Sequence, residues 1–184
     1  MRFVPLALLL AVSACDNVED TDGDENIEEV ITTIVLTFDG PEGLVEGSWA
    51  DPENDGSPVI VSPELTANTE YQVSVEFLNE LEDPAEDITE EIEDEADEHQ
   101  VFFATDATVT YNDQDDGGLP IGLDVTLTTG DAGTEDLTVI LRHLPELDGA
   151  AQKVAGLAEQ AEADGISSLP GDSDAMVTIP LTVQ

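Results

Sequence analysis

The stretch YQVSVEFL, residues 71–78, decides the fold class. Tyr71, Val73, Val75 and Phe77 alternate with Gln72, Ser74 and Glu76. Successive side chains of a strand point to opposite faces, so a strand collects all four apolar groups on one side. A helix would scatter them around its circumference. The segment therefore reads as a strand with one buried face and one wet face, the pattern of an antiparallel sheet packed on a second layer.

The same parity recurs on both sides of it. Upstream, VITTIVLTF (residues 30–38) places Val30, Thr32, Ile34, Leu36 and Phe38 on one face. GSWAD (residues 47–51) gives a short second strand with Trp49 turned inward, followed by the turn-rich DPENDGSP. Downstream come QVFFA (100–104) and TVTYND (108–113), the latter with Val109 and Tyr111 aligned. IGLDVTLTT (121–129) aligns Ile121, Leu123, Val125 and Leu127, and LTVILRH (137–143) aligns Leu137, Val139 and Leu141. MVTIPLTV (176–183) closes the series with Val177, Ile179, Leu181 and Val183. Pro180 lacks an N–H, which places it at a sheet edge or a bulge. The expectation is an all-β, antiparallel immunoglobulin-like β-sandwich of seven to eight strands, formed by residues 28–184, with one or two short peripheral helices.

Two segments carry a helical period. In EDITEEIEDEADEHQ (residues 86–100), Ile88, Ile92 and Ala96 stack, with Asp87 and Glu90 as a variant capping box. Its like-charged pairs at i,i+4, such as Glu91 and Glu95, each cost a few tenths of a kcal/mol, roughly. This helix therefore needs Ile88 and Ile92 docked on the sandwich, or counterions. In GAAQKVAGLAEQAEADG (residues 149–165), Val154, Leu157, Ala158 and Ala161 form a stripe that Gly165 ends.

The N-terminal residues have a different character. Residues 1–14 hold one charge, Arg2, and an apolar run too short to cross a bilayer, as in a secretory signal peptide. VSAC, ending at Cys15, resembles the bacterial lipobox. That resemblance implies cleavage after Ala14 and diacylglycerol on the Cys15 sulfur, with the new amino group acylated as well. Two or more acyl chains suffice for stable anchoring. Cys15 is the chain's one cysteine, so no disulfide forms within it. Residues 15–27 are acidic and poor in bulky apolar groups, as expected of a disordered tether.

Charge narrows the partners. The chain has 44 Asp and Glu against 3 Lys and Arg, of which Arg142 and Lys153 follow the signal. Such a surface repels nucleic acid and anionic lipid heads. The excess fits either a saline habitat or cation binding. No Gly-x-Ser-x-Gly elbow, phosphate-cradling glycine loop or His-Glu-x-x-His is present, so the chain is not expected to be an enzyme.

Two clusters of candidate ligands stand out. DTDGDEN (residues 20–26) and NDQDDGG (112–118) set oxygen ligands beside glycine, as calcium requires. Neither completes the EF-hand pattern: counted from Asp20, the twelfth position is Ile31 rather than glutamate. Turns favour Asp, Asn and Gly for their own conformation, so calcium at Asp113, Asp115 and Asp116 is the alternative to a purely structural loop. No other cofactor is expected. His99 lies where the acidic helix meets a strand, and His143 continues the inward parity of Leu141. Two histidines and a carboxylate suit zinc, although nothing in the linear sequence shows that they meet, and hydrogen bonding at the strand ends is the expected role.

ITTIVLTF, VSVEFLNE, EDITEEIEDEADEHQVFF, YNDQDDGGLPIGL and LRHLPELDG together resemble a family of small uncharacterised Bacteroidota lipoproteins. The resemblance spans most of the chain beyond the signal, and it implies no catalytic residues because the family has no assigned activity. Some members carry the label of a type 1 periplasmic binding fold. That fold needs two lobes of alternating strands and helices and a longer chain. The segment at residues 149–171 departs from the short loop the family implies there. Lipoproteins of that phylum often reach the cell surface through acidic residues after the lipidated cysteine, and CDNVED is similar to such a signal. The expected location is the outer membrane, with the periplasmic face of the inner membrane as the alternative because of Asp16. The expected function is a non-catalytic module that binds an envelope protein or glycan.

Overall fold

The alternating stretch becomes β5 (Glu70–Asn79), the middle of the larger sheet. The structure, a computed structural model, describes residues 29–184. β1 (Thr33–Gly40) pairs antiparallel with β5 on one side and with β2 (Gly43–Ala50) on the other. β9 (Asp124–Thr128) lies on the far side of β5, and β3 (Val59–Val61) and β8 (Thr108–Tyr111) form the two edges. The two-residue β6 (Glu86–Asp87) pairs with the end of β5. The second sheet runs β4 (Glu64–Leu65), β11 (Asp172–Val183), β10 (Gly133–His143), β7 (His99–Ala104). All pairings are antiparallel except the short β4–β11 contact.

The two inner faces make the core. Ile34, Leu36 and Phe38 of β1 and Val73 and Phe77 of β5 meet Leu137, Val139 and Leu141 of β10 and Ile179 and Leu181 of β11. These side chains are at most 1% exposed, and burying each is worth about 1.5–3 kcal/mol. The architecture is an all-β sandwich with short helices. Eight strands have four residues or more, and β3, β4 and β6 are shorter additions. Two or three residues are too few for alternation to register, which is why these three are silent in the sequence.

The outer face of the smaller sheet carries a second core. Phe102 of β7 and Ile140 of β10 pack with Leu144, Leu157 and Leu169. This explains why VFF and VIL are apolar at every position: both faces of those strands are covered. The cover is supplied by the excursion between β10 and β11. Its helix, α2 (Leu157–Asp164), is shorter than the alanine-rich stretch predicts. Gly156 adopts φ +90 and delays the start, so Val154 is 48% exposed and Lys153 is buried in its place. Gly165 ends the helix as expected, its N–H donating to the Ala161 carbonyl.

α1 (Ile88–Asp94) follows the sequence closely. Asp87 caps it by accepting from the Thr89 N–H, and Ile88 and Ile92 are buried against the sandwich. Pro180 also lies where its missing N–H does least harm. Thr182 N–H donates across to the Pro63 carbonyl at 3.1 Å. Pro180, two residues earlier, faces the same way, beyond the span in which β4 pairs with β11.

Candidate metal centre

β7 begins at His99 and β10 ends at His143, and the two residues are directly paired in the antiparallel register. Residues opposite each other share a face, so their rings stack with centroids 4.6 Å apart and planes within 12°. Both continue the inward parity of Val101 and Leu141 to one end of the sandwich. They are 0% and 5% exposed.

Two carboxylates complete the group. Glu29 sits four residues ahead of β1 and so belongs to the chain leading into the opposite sheet. Asp174 comes from β11 at a register shift: Leu141 faces Ala175 while Arg142 faces Ser173, leaving Asp174 as the extra residue of a bulge. A bulge re-aims side chains, and here one ligand atom from each of Glu29, His99, His143 and Asp174 lies within 4.8 Å of the others. A tetrahedral zinc with bonds of about 2.0–2.2 Å has ligand atoms roughly 3.4 Å apart, so contraction of the widest separation by at most about 1.4 Å closes the shell.

The imidazoles are oriented as ligands are. His99 Nδ1 is 3.2 Å from the Glu95 carbonyl oxygen, and His143 Nε2 is 3.4 Å from the Glu98 carboxylate. Each ring thus gives one nitrogen to an acceptor in the turn between α1 and β7. The other nitrogens, His99 Nε2 and His143 Nδ1, are buried without a hydrogen-bond partner. His99 Nε2 lies 3.2 Å from Glu29, an ion-pair contact without hydrogen-bond alignment, and Glu29 Oε2 is likewise buried and without one. A metal-binding histidine typically donates its second N–H to a carbonyl or carboxylate in this way. Two neutral imidazoles and two carboxylates balance a divalent charge and suit a late first-row ion, zinc foremost. Calcium, which takes six to eight oxygens, does not match the set.

Without metal, the same residues form a charged pair. Burial alone would lower the His99 pKa, but the Glu29 carboxylate outweighs it and the pKa ends above the ordinary 6.5. Burial would raise Glu29, yet His99 draws it below the ordinary 4.5. The raised histidine stabilises fully below 6.5 and loses that contribution as pH climbs through its folded pKa. The lowered glutamate stabilises fully above 4.5 and loses its contribution as pH falls through its folded pKa. In a chelator, the pair is therefore at full strength between those two values. Urea melts at pH 6 and pH 9 are expected to show a lower midpoint at pH 9, and Glu29→Gln is expected to flatten the difference.

The acidic loop is arranged otherwise. Asp113 accepts from the N–H groups of Gly122, Leu123 and Asp124 at 2.7–2.9 Å. Asp115 pairs with Lys153 at 2.8 Å and accepts from Leu119 N–H. Burial would raise Asp115, but Lys153 and the backbone donors hold its pKa below the ordinary range. Asp116 is exposed. The oxygens a calcium ion would take from Asp113 and Asp115 are thus engaged by the chain's own donors. Among the described residues, the three do not converge as the histidine group does. Cys15 and Ala14, the expected sites of lipidation and cleavage, the expected tether at residues 15–27 and the acidic stretch at residues 20–26 lie outside the described residues.

The sequence pointed to both histidines but to neither partner carboxylate. Glu29 is one acid among many, and the bulge that turns Asp174 inward leaves no periodic trace. Among the described residues, no helix is long and apolar enough to cross a membrane. Comparison with protein-family models, curated proteins and solved structures finds no match to this chain.

Proposed function

We propose that this chain is a lipid-anchored envelope protein whose sandwich binds a divalent transition metal, zinc above others, and that it acts as a non-catalytic binding module at the outer membrane. One observation carries the metal reading: two buried, stacked histidines, each with one ring nitrogen that makes no hydrogen bond, are grouped with the carboxylates of Glu29 and Asp174 while their other nitrogens meet acceptors. Four protein ligands with little exposure resemble a closed structural site more than a catalytic one, which keeps a position open for water. VSAC at residues 12–15 supports the anchor. Arg142 and Lys153, the two Lys or Arg among the described residues, are buried, so the exterior offers no such cation to nucleic acid.

Calorimetric titration of the full chain with zinc tests the site. One ion per chain is expected, with His99→Ala or His143→Ala weakening affinity on the order of 100-fold or more, since changes to mere outer partners already cost 10–100-fold. Equal affinity in both variants would remove the reading. The anchor is tested separately, by mass spectrometry of the envelope product. A free Cys15 thiol on a released chain would overturn the address and leave the metal site standing.

A further inference from the structure

We infer that Lys153 and Arg142 are positioning residues of the metal centre, bracing the two segments that deliver its ligands. The inference rests on the metal reading above. In a chain with 44 carboxylates, a basic side chain finds an ion pair without leaving water. Lys153 and Arg142 are instead 3% and 9% exposed. Withdrawing a cation from water costs several kcal/mol, roughly, so what each one grips deserves a reason.

Lys153 Nζ donates to the Ala96 carbonyl at 2.6 Å. Ala96 lies between Glu95, whose carbonyl faces His99, and Glu98, whose carboxylate faces His143. Lys153 therefore holds the turn that orients both rings. Arg142, beside His143 in β10, sends its guanidinium to the carbonyls of Leu169, Pro170 and Gly171 at 2.5–2.9 Å and to the Ser173 hydroxyl at 2.9 Å. That run leads directly into Asp174. Gln152 ties the same two regions, accepting from Gly171 N–H and donating to the Pro145 carbonyl. The excursion between β10 and β11 thus brings one cation to the histidine turn and presents its own end to the other.

Misplaced outer partners typically weaken metal binding 10–100-fold. Cobalt(II) reports ligand number and geometry through its visible bands, which a purely structural fastener would leave unchanged. Three forms of the full chain decide the matter. The wild type is expected to give one tetrahedral-type spectrum. Asp115→Asn, which keeps Lys153 on Ala96, is expected to retain it. Lys153→Met combined with Asp115→Asn, which leaves no buried charge unpaired, is expected to shift the bands and weaken zinc 10–100-fold. A folded double variant with the wild-type spectrum and affinity would overturn the bracing. Should it fail to fold, Arg142→Lys keeps the charge, loses the fork and carries the same test, with an unchanged spectrum again fatal. A wild-type chain that binds neither ion refutes the metal reading itself, a separate and visible failure.

Discussion

Zinc is expected to raise the unfolding midpoint of the full chain by about 10 °C, and either histidine substitution is expected to cut the rise to about a third or less, since a site weakened about 100-fold keeps about 1.4 kcal/mol at the same zinc. A ligand that binds only the folded state stabilises by RT ln(1 + [L]/Kd), about 4.1 kcal/mol at a thousandfold excess over Kd. For a domain of this size, each kcal/mol moves the midpoint by about 2–4 °C. The gain belongs to folding because the ligands are far apart in the unfolded chain. Glu29 and Asp174 meet only after β1, β7, β10 and β11 have assembled. His99→Ala and His143→Ala each delete one of four ligands. Calcium at the same ionic strength is expected to leave the midpoint where it was, since the site has two nitrogens and too few oxygens. Differential scanning calorimetry at pH 7.5, after chelator treatment and zinc return, makes the check. A rise left undiminished by both substitutions would place the metal elsewhere; no rise in the wild type would leave the histidines as a stacked structural pair.

The carboxylate excess gives this stabilisation a purpose within the fold. A formal net charge of −41 strains any compact state through self-repulsion. Both Lys and Arg among the described residues are inside, so surface ion pairs with them relieve none of it. A divalent ion bound as proposed would neutralise two carboxylates and join the two sheets, because Glu29 approaches from the β1 side and His99, His143 and Asp174 from β7, β10 and β11.

What was legible in the sequence divides along physical lines. Strand faces follow from local alternation, so the inward residues of β1, β5, β9, β10 and β11 are legible within those strands, whereas Val30, ahead of β1, is 45% exposed. His143 was likewise placed on the inner face by parity alone. The meeting of His99 and His143 depends on β7 pairing with β10 in one register, a long-range fact with no local signature. Glu29 and Asp174 are further still from local pattern, one preceding a strand and the other displaced by a bulge. Composition alone leaves residues 112–118 undecided. Asp, Asn and Gly suit calcium and turns equally, and only the fold shows that Asp113 serves N–H groups nine to eleven residues onward. The alanine-rich stripe counts Val154 as its first member, but the helix starts only at Leu157, after Gly156. That glycine is the left-handed residue that keeps Lys153 off the helix and in the interior.

Gly171→Ala is expected to cost about 2–5 kcal/mol and to weaken zinc binding in the same stroke. Gly171 has φ +71, a conformation that costs an L residue about 1–2 kcal/mol. Its added Cβ would also drive into the carbonyl oxygen of His143 and reach the Leu144 side chain at 3.0 Å. Overpacking of this kind adds about 1–3 kcal/mol. The obstacle is backbone rather than the end of a flexible side chain, so relief requires that a strand move. Either β10 retreats and carries His143 with it, or the run into β11 retreats and carries Asp174. Both widen the ligand group. Gly56→Ala is the control: its φ is +80, but a Cβ there meets nothing within 4 Å, so only the conformational cost of about 1–2 kcal/mol applies and zinc affinity holds. Urea denaturation and zinc titration of the two full-chain variants separate backbone strain from displacement of the centre. If both variants lose the same stability and neither loses zinc, then Gly171 is no closer to the metal ligands in effect than any other turn glycine, and the tight approach between β10 and the start of β11 does not set the geometry of the site.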